Sequence, residues 1–367
     1  MSGSLLPLVG VVVGLVVLVV GGELLVRGAS ALALAARVSP LVVGLTVVAY
    51  GTSSPELAVS VRASFAGQAD IAVGNVVGSN ICNILLILGA SALICPLVVH
   101  SQLIRFDVPV MILVSIVLMV MGWNHSISRG EGLLLFAGAL AYTVWAVVQS
   151  RRESRTVQAE FAEHLPARAP VNLRHVGFQV LLIVVGLLLL AAGANWLVDG
   201  AVEIARTLGV SELIIGLTIV AVGTSLPEMV TSIVAAVRGA RDIAVGNIVG
   251  SNIFNILAVL GLSSVLAPNG VRVSDAARQF DIPVMVVVAI ACLPVFVTGN
   301  RIARWEGLFF LAYYVAYTSF LVFDALEIPQ TRSVAAGIMA FVLPITVVTL
   351  TVSLVRQFKP RNADLAS

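Results

Sequence analysis

The sequence predicts an all-α polytopic membrane protein built as two inverted five-helix repeats plus one extra C-terminal transmembrane helix, about 11 spans in all. Three observations lead there. Hydrophobic residues make up 59% of the 367 residues and charged residues only 11%. Apolar runs long enough to cross a bilayer recur along the chain. The first half of the sequence is repeated in the second, and each copy holds an odd number of runs.

Composition sets the solvent. A soluble chain carries about 25% charged residues, and the polar surface here is too small to coat a soluble protein of this length. The net charge of +2 points to no partner, and no basic patch with interleaved aromatics indicates nucleic acid. Cys82, Cys95 and Cys292 all lie in apolar stretches without paired spacing. They read as small hydrophobes, neither disulfides nor metal ligands.

Apolar runs place the spans at roughly 6–33, 41–66, 71–97, 106–123, 131–149, 176–204, 212–237, 243–266, 280–298, 305–323 and 334–355. The apolar start lacks a basic stretch and a cleavage site, so it reads as a retained first span. The first and sixth runs exceed one crossing and should tilt or bend. The chain divides into a first half (1–149), a polar cytoplasmic linker (150–175) rich in arginine and glutamate, a second half (176–323) and the extra helix (334–355). With the N-terminus outside and strict alternation, 14 positive residues fall inside and six outside. The positive-inside rule thus puts the N-terminus outside and the C-terminus inside an integral membrane protein.

The repeat is the strongest signal. Residues 44–89 align with 216–261 without a gap, and 29 of the 46 positions are identical. Ser39 through Thr46 answers Ser211 through Thr218, and Phe106-Asp107-x-Pro109-Val110-Met111 answers Phe280-Asp281-x-Pro283-Val284-Met285. Five spans per copy turn the second copy upside down relative to the first, the plan of many secondary transporters. Close helix packing accounts for repeated Gly and Ala. It does not account for repeated Thr, Ser, Asn and Glu, which a membrane interior disfavours.

Those polar residues form two motifs. Gly51-Thr52-Ser53-Ser54-Pro55-Glu56 matches Gly223-Thr224-Ser225-Leu226-Pro227-Glu228, each in the middle of an apolar run. Pro55 and Pro227 should break or kink their helices and free carbonyls near Ala49 to Gly51 and Ala221 to Gly223. In a medium without water those oxygens need a partner. A carboxylate at the bilayer centre is tolerated when protonated, paired or bound to a cation. No Lys or Arg lies near either motif within its span, so protonation or a metal cation remains. Oxygen donors without His or Cys suit calcium or sodium and do not suit zinc or copper.

The second motif, Gly74-Asn75-x-x-Gly78-Ser79-Asn80-x-x-Asn83, recurs as Gly246-Asn247-x-x-Gly250-Ser251-Asn252-x-x-Asn255. Ser79 and Asn83, like Ser251 and Asn255, are four apart and share a helix face. Asn80 and Asn252 lie on a different face, where interhelical hydrogen bonding and ligation are equally open. Two negative charges ringed by neutral oxygens can balance one Ca²⁺, or Na⁺ ions bound in turn.

The paired motifs resemble the alpha-repeats of the sodium/calcium exchanger family, within the calcium/cation antiporter superfamily, over about residues 40–323. The resemblance implies an inverted pair of five-helix units and secondary active exchange of Ca²⁺ for Na⁺ by alternating access. It implies ligands Ala49, Thr52, Ser53, Glu56, Ser79 and Asn83 in the first repeat. In the second they are Ala221, Thr224, Ser225, Glu228, Ser251 and Asn255, the alanines acting through their carbonyls. Glu56 and Glu228 would be the main calcium ligands, and the long first and sixth spans would slide to switch access. Some members carry Asp where this chain has Asn255; that change removes a third charge and argues against potassium co-transport. Proton/calcium exchangers have a first motif richer in Asn, so Na⁺ is the expected counter-ion, with exchange of Ca²⁺ or another divalent cation for H⁺ as the alternative. The implied partners are these transported ions and the lipid bilayer. No cofactor, nucleic acid or protein partner is indicated.

The remaining charges read as structural. Arg27 and Asp199 hold matched places, but inversion separates them, and both are expected to snorkel. Asp107 and Asp281 precede a proline by two residues and are expected to cap helix N-termini. His100, His125, His164 and His175 fall in or beside predicted loops, so no histidine proton relay is expected. A channel would not need the repeat. An enzyme would need a nucleophile–base pair or a metal-binding histidine within the spans.

Overall fold

The computed structural model describes residues 5–36, 38–161, 173–297 and 299–327. The expected span at 334–355 and residues 162–172 of the linker lie outside the described residues. Eight described helices are long and apolar enough to cross a membrane, or ten spans if each of two bent helix pairs counts as one. In the first half these are α1 (Leu6–Ala36), the bent pair α2 (Pro40–Thr52) and α3 (Ser54–Phe65), α4 (Ile71–Ile94), α5 (Leu103–Asn124) and α6 (Arg129–Arg151). The second half matches them with α7 (Val176–Thr207), the bent pair α8 (Glu212–Gly223) and α9 (Leu226–Val237), α10 (Arg241–Leu266), α11 (Ala277–Val297) and α12 (Arg304–Ala325). Each of the first ten expected spans falls on one of these helices or bent pairs.

Length follows sequence. At 1.5 Å per residue the 31 residues of α1 extend about 46 Å, well beyond a hydrocarbon core of about 30 Å. Helix α6 continues past its apolar window to Phe161, because the Arg-, Glu- and Gln-rich start of the linker consists of good helix formers.

Burial sorts the helices into layers. The most apolar windows of α4 and α10 are 72% and 94% buried, whereas that of α12 is 6% buried. Helices α4 and α10 therefore form the centre, and α1, α5, α6, α7, α11 and α12 turn much of their apolar surface outward. Helices α1 and α7 pack along their length through glycines. A Cβ on Gly14 would lie 2.8 Å from the Gly193 carbonyl oxygen, and one on Gly21 would lie 2.8 Å from that of Gly186. Only a bare backbone permits this approach.

The prolines bend both pairs as their chemistry requires. The α2–α3 pair bends by 46° and the α8–α9 pair by 44°. Pro55 and Pro227 stand in the first turn of α3 and α9, where a missing N–H is harmless. The break does not empty the Ala49 carbonyl, which accepts the Ser53 N–H at 3.0 Å. In the second half the Ser225 N–H goes to the Val222 carbonyl instead, at 3.0 Å. Ser39 and Ser211 cap the starts of α2 and α8, accepting from the N–H groups of Val42 and Ile214.

Among the described residues, six widened, π-type segments interrupt the helices in matched pairs. They are Gly44–Val48 and Gly216–Val220, Asn83–Leu88 and Asn255–Leu260, and Leu103–Asp107 and Ala277–Asp281. Such bulges leave extra residues in a turn and favour functional sites.

Among the described residues, two short antiparallel ribbons join the halves. Leu97–Val98, after α4, pairs with Arg301–Ile302, after α11. Ser126–Ile127, after α5, pairs with Val271–Arg272, after α10. Each ribbon thus joins the loop after the fourth helix of one half to the loop after the fifth helix of the other.

The structure corrects the reading of Asp107 and Asp281. Both are preceded by at least one helical turn, at the end of a widened segment, and Asp107 makes no side-chain cap bond. Instead Asp107 accepts from the Tyr142 hydroxyl and Asp281 from the Tyr317 hydroxyl, each at 2.9 Å. The helix continues backwards through the position before each proline because the widened turn relieves the clash that proline would impose. Ser274 does the capping on the second side, accepting from the Ala277 N–H at 3.2 Å. Arg27 and Asp199 are exposed, and Arg27 lies 3.5 Å from Glu23, four residues earlier.

Candidate ion-binding site

Glu56 and Glu228 sit in the first turns of α3 and α9, just past the two breaks, and both are fully buried. They meet at the centre with α4 and α10. The Ser53 hydroxyl donates to Glu228 Oε1 at 2.8 Å, and the Ser225 hydroxyl donates to Glu56 Oε1 at 3.3 Å. Each half thus places its serine on the other half's carboxylate. Ser79 adds a longer contact to Glu56 Oε1, 3.4 Å.

A second set of bonds fixes the backbone around the glutamates. Asn75 Nδ2 donates to the Glu56 carbonyl and the Ser60 hydroxyl, at 3.1 and 2.9 Å. Asn247 Nδ2 donates to the Glu228 carbonyl and the Ser232 hydroxyl, at 3.4 and 3.0 Å. The Thr52 hydroxyl lies 3.1 Å from Asn247 Oδ1 and 3.4 Å from the Ala49 carbonyl. Asn75 and Asn247 stood in the second motif without a role. Ser60 and Ser232 were missed altogether, although they are identical between the repeats and stand one helical turn beyond Glu56 and Glu228.

What remains unsatisfied is informative. Glu56 Oε2, Glu228 Oε2, Asn83 Oδ1, Asn255 Oδ1 and the Ser251 hydroxyl are buried without a hydrogen-bond partner among the described residues. Neither glutamate has an ion-pair partner there. Four of these five atoms can only accept when the glutamates are ionised. Buried polar groups are nearly always satisfied, so a symmetric set of orphaned acceptors calls for a donor or a cation. Carboxylate, amide and hydroxyl oxygens fit a hard cation.

Asn80 and Asn252 form interhelical hydrogen bonds. Asn80 Nδ2 donates to the Asn252 carbonyl at 3.1 Å, Asn83 Nδ2 to Asn252 Oδ1 at 3.0 Å, and Asn255 Nδ2 to Asn80 Oδ1 at 3.1 Å.

The two halves do not surround the site equally. Ala49 and Thr52 are buried, while Ala221 is exposed and Thr224 half-buried. Glycines show where the difference lies. A Cβ on Gly44 would lie 2.8 Å from the Ile243 carbonyl oxygen, one on Gly246 2.7 Å from that of Leu41, and one on Gly250 2.5 Å from that of Leu45. Here α2 and α10 are sealed together. The repeat-related glycines Gly216, Gly74 and Gly78 have no atom within 4 Å of an added Cβ, so α8 stands away from α4. The backbones of α2 and α10 are in contact, the matched positions of α8 and α4 are not, and both glutamates stay fully buried.

The match to known proteins agrees with this geometry. Residues 6–148 and 178–323 match the sodium/calcium exchanger protein family. The chain belongs to that family. It is 40% identical over 318 residues to the putative antiporter CaxA of Alkalimonas amylolytica, covering 86% of this chain and 98% of the relative. It is 33% identical over 334 residues to the sodium/calcium exchanger MaX1 of Methanosarcina acetivorans, covering 83% and 95%. The solved sodium/calcium exchanger of Methanococcus jannaschii superimposes with a TM-score of 0.73 at 32% identity, over 86% of this chain and 98% of that one. Membership makes this chain a calcium/cation antiporter of the membrane, and its relatives are transporters and not enzymes.

Proposed function

We propose that this family member exchanges Ca²⁺ for Na⁺ by alternating access, with Glu56 and Glu228 as the central ligands of one shared site. The observation that carries the proposal is the crossed pair of bonds from Ser53 to Glu228 and from Ser225 to Glu56. Beside them lie the orphaned oxygens of both glutamates and of Asn83 and Asn255. Ser79 and Ser251 add hydroxyls, Thr52 and Thr224 line the approaches, and Ala49 and Ala221 contribute carbonyls. Two negative charges neutralise one Ca²⁺ or two Na⁺. Neither load leaves room for the other at a site where every donor is shared, and that competition is the physical basis of exchange.

The two halves act as inverted five-span units. The ribbons support this reading. Successive loops of a repeat lie on opposite faces of the membrane, and each ribbon joins a loop to the non-equivalent loop of the other half. Equivalent loops then fall on opposite faces, as inverted units require. The arginine bias places the N-terminus outside and the C-terminus inside. In that orientation the looser α8–α4 side faces outward, and the sealed contact of α2 with Gly246 and Gly250 closes the inward side. Transport exchanges the two arrangements, with α1 and α7 moving against the central helices.

H⁺ is the alternative counter-ion. Two buried carboxylates without a basic partner are also stabilised by protonation. Uptake of ⁴⁵Ca²⁺ into proteoliposomes under imposed sodium, potassium or proton gradients separates the readings. Calcium movement that follows only a sodium gradient supports the proposal. Movement that follows a pH gradient in sodium-free buffer favours H⁺.

A further inference from the structure

Asn83 and Asn255 offer the site an oxygen only if their amides are turned the right way, and the structure contains a chain of contacts that turns them. Asn80 Nδ2 faces two groups that only accept, the Asn252 carbonyl at 3.1 Å and Met285 Sδ at 3.6 Å. This fixes Asn80 with Oδ1 on the far side, where it accepts Asn255 Nδ2 at 3.1 Å. Asn255 Oδ1 is thereby left facing away from the bond, buried and unpartnered. The matched chain runs from Met111. Asn252 Nδ2 donates to Met111 Sδ at 3.5 Å, Asn252 Oδ1 accepts Asn83 Nδ2 at 3.0 Å, and Asn83 Oδ1 is left buried and unpartnered.

We infer that Asn80 and Asn252, anchored by Met285 and Met111, are positioning residues that hold the amide oxygens of Asn83 and Asn255 toward the transported cation. The inference rests on the ion-site reading above. The two anchors are unequal. Asn80 is held by a carbonyl and a thioether, whereas the described acceptor for Asn252 Nδ2 is the thioether alone. Removing the Met111 sulfur therefore frees the Asn252 amide to rotate, and Asn83 with it. Removing the Met285 sulfur leaves Asn80 tied to the Asn252 carbonyl.

The experiment compares Met111→Leu, Met285→Leu and Asn252→Ala with the wild-type chain. A Met-to-Leu exchange conserves volume and is well tolerated in a packed interior. Calcium binding to the purified full chain is measured by titration calorimetry in sodium-free buffer, and the Ca²⁺ dependence and maximal rate of exchange are measured in proteoliposomes. Met111→Leu and Asn252→Ala are expected to weaken calcium binding by about three- to tenfold, the value of one net hydrogen bond, with the maximal rate retained in Met111→Leu. Met285→Leu is expected to stay within about twofold of wild type, because the carbonyl anchor persists. Wild-type affinity in both Met111→Leu and Asn252→Ala overturns the inference, as does an equal loss in the two methionine variants, which marks a packing effect. If the wild-type chain binds no calcium, the ion-site reading fails and the inference falls with it. If it binds calcium and the variants match it, the inference alone falls.

Discussion

The Ser53 hydroxyl donates to Glu228 across the two halves of the molecule at 2.8 Å, while its repeat-related partner Ser225 reaches Glu56 at 3.3 Å. The shorter bond ties the first bent pair to the second carboxylate more tightly than the reverse. Hydrogen bonds to charged groups contribute about 1.5–3 kcal/mol. Ser53→Ala is therefore expected to raise the Ca²⁺ concentration for half-maximal exchange by about tenfold or more, and Ser225→Ala by less. Calcium-dependence curves in proteoliposomes check the order of the two effects.

Glu56→Gln and Glu228→Gln each remove one of the two carboxylates that the described residues bring to the site. A single remaining negative charge does not balance a divalent ion in a low dielectric. Each variant is expected to lose calcium exchange by about a hundredfold or more while folding normally, since Gln keeps the acceptor for the cross-half serine. Flux assays paired with thermal melts of the purified variants test both parts.

The unequal glycine contacts predict a conformational effect. Gly74→Val and Gly78→Val add side chains into open space in this arrangement, so melting temperature should hold within a few degrees. In the proposed opposite arrangement α8 lies on α4 as α2 now lies on α10, and there the added methyl groups clash. Exchange should slow by about tenfold or more through the loss of that state. Gly250→Val meets the Leu45 backbone at once and should destabilise the closed contact directly. Rates and melts measured side by side distinguish the two glycine sets.

The aspartates before the prolines predict a difference in stability alone. Asp107 is fully buried beside Tyr142, while Asp281 is half-buried beside Tyr317. Tyr142→Phe should cost about 1–3 kcal/mol and Tyr317→Phe less, because water can still reach Asp281. Half-maximal calcium concentrations should be unchanged in both. Thermal or denaturant unfolding in detergent checks the stability part.

Much of this site was legible in the sequence because membrane interiors penalise polar residues. Repeated Glu, Ser, Thr and Asn in apolar runs marked the candidate residues, and the prolines marked the bends. The role of Asp107 and Asp281 was not legible. A residue two before a proline looks like a helix start, and only the widened turns at Leu103–Asp107 and Ala277–Asp281 carry the helix through it. The crossing of Ser53 to Glu228 was likewise hidden, since spacing places both in matched motifs without saying which serine meets which glutamate. Interhelical hydrogen bonding was one of two open readings for Asn80 and Asn252, but their contact with Met285 and Met111 depends on how α11 and α5 pack, which no local pattern encodes.

The central claim is that one site built from Glu56 and Glu228 couples calcium to sodium. Its most direct test is ⁴⁵Ca²⁺ uptake into proteoliposomes preloaded with sodium and diluted into sodium-free buffer, for the wild-type chain, Glu56→Gln and Glu228→Gln. The account predicts rapid uptake by the wild type that collapses when the sodium gradient is removed, and none by either variant. Calcium movement indifferent to the sodium gradient, or full activity in both variants, would contradict it.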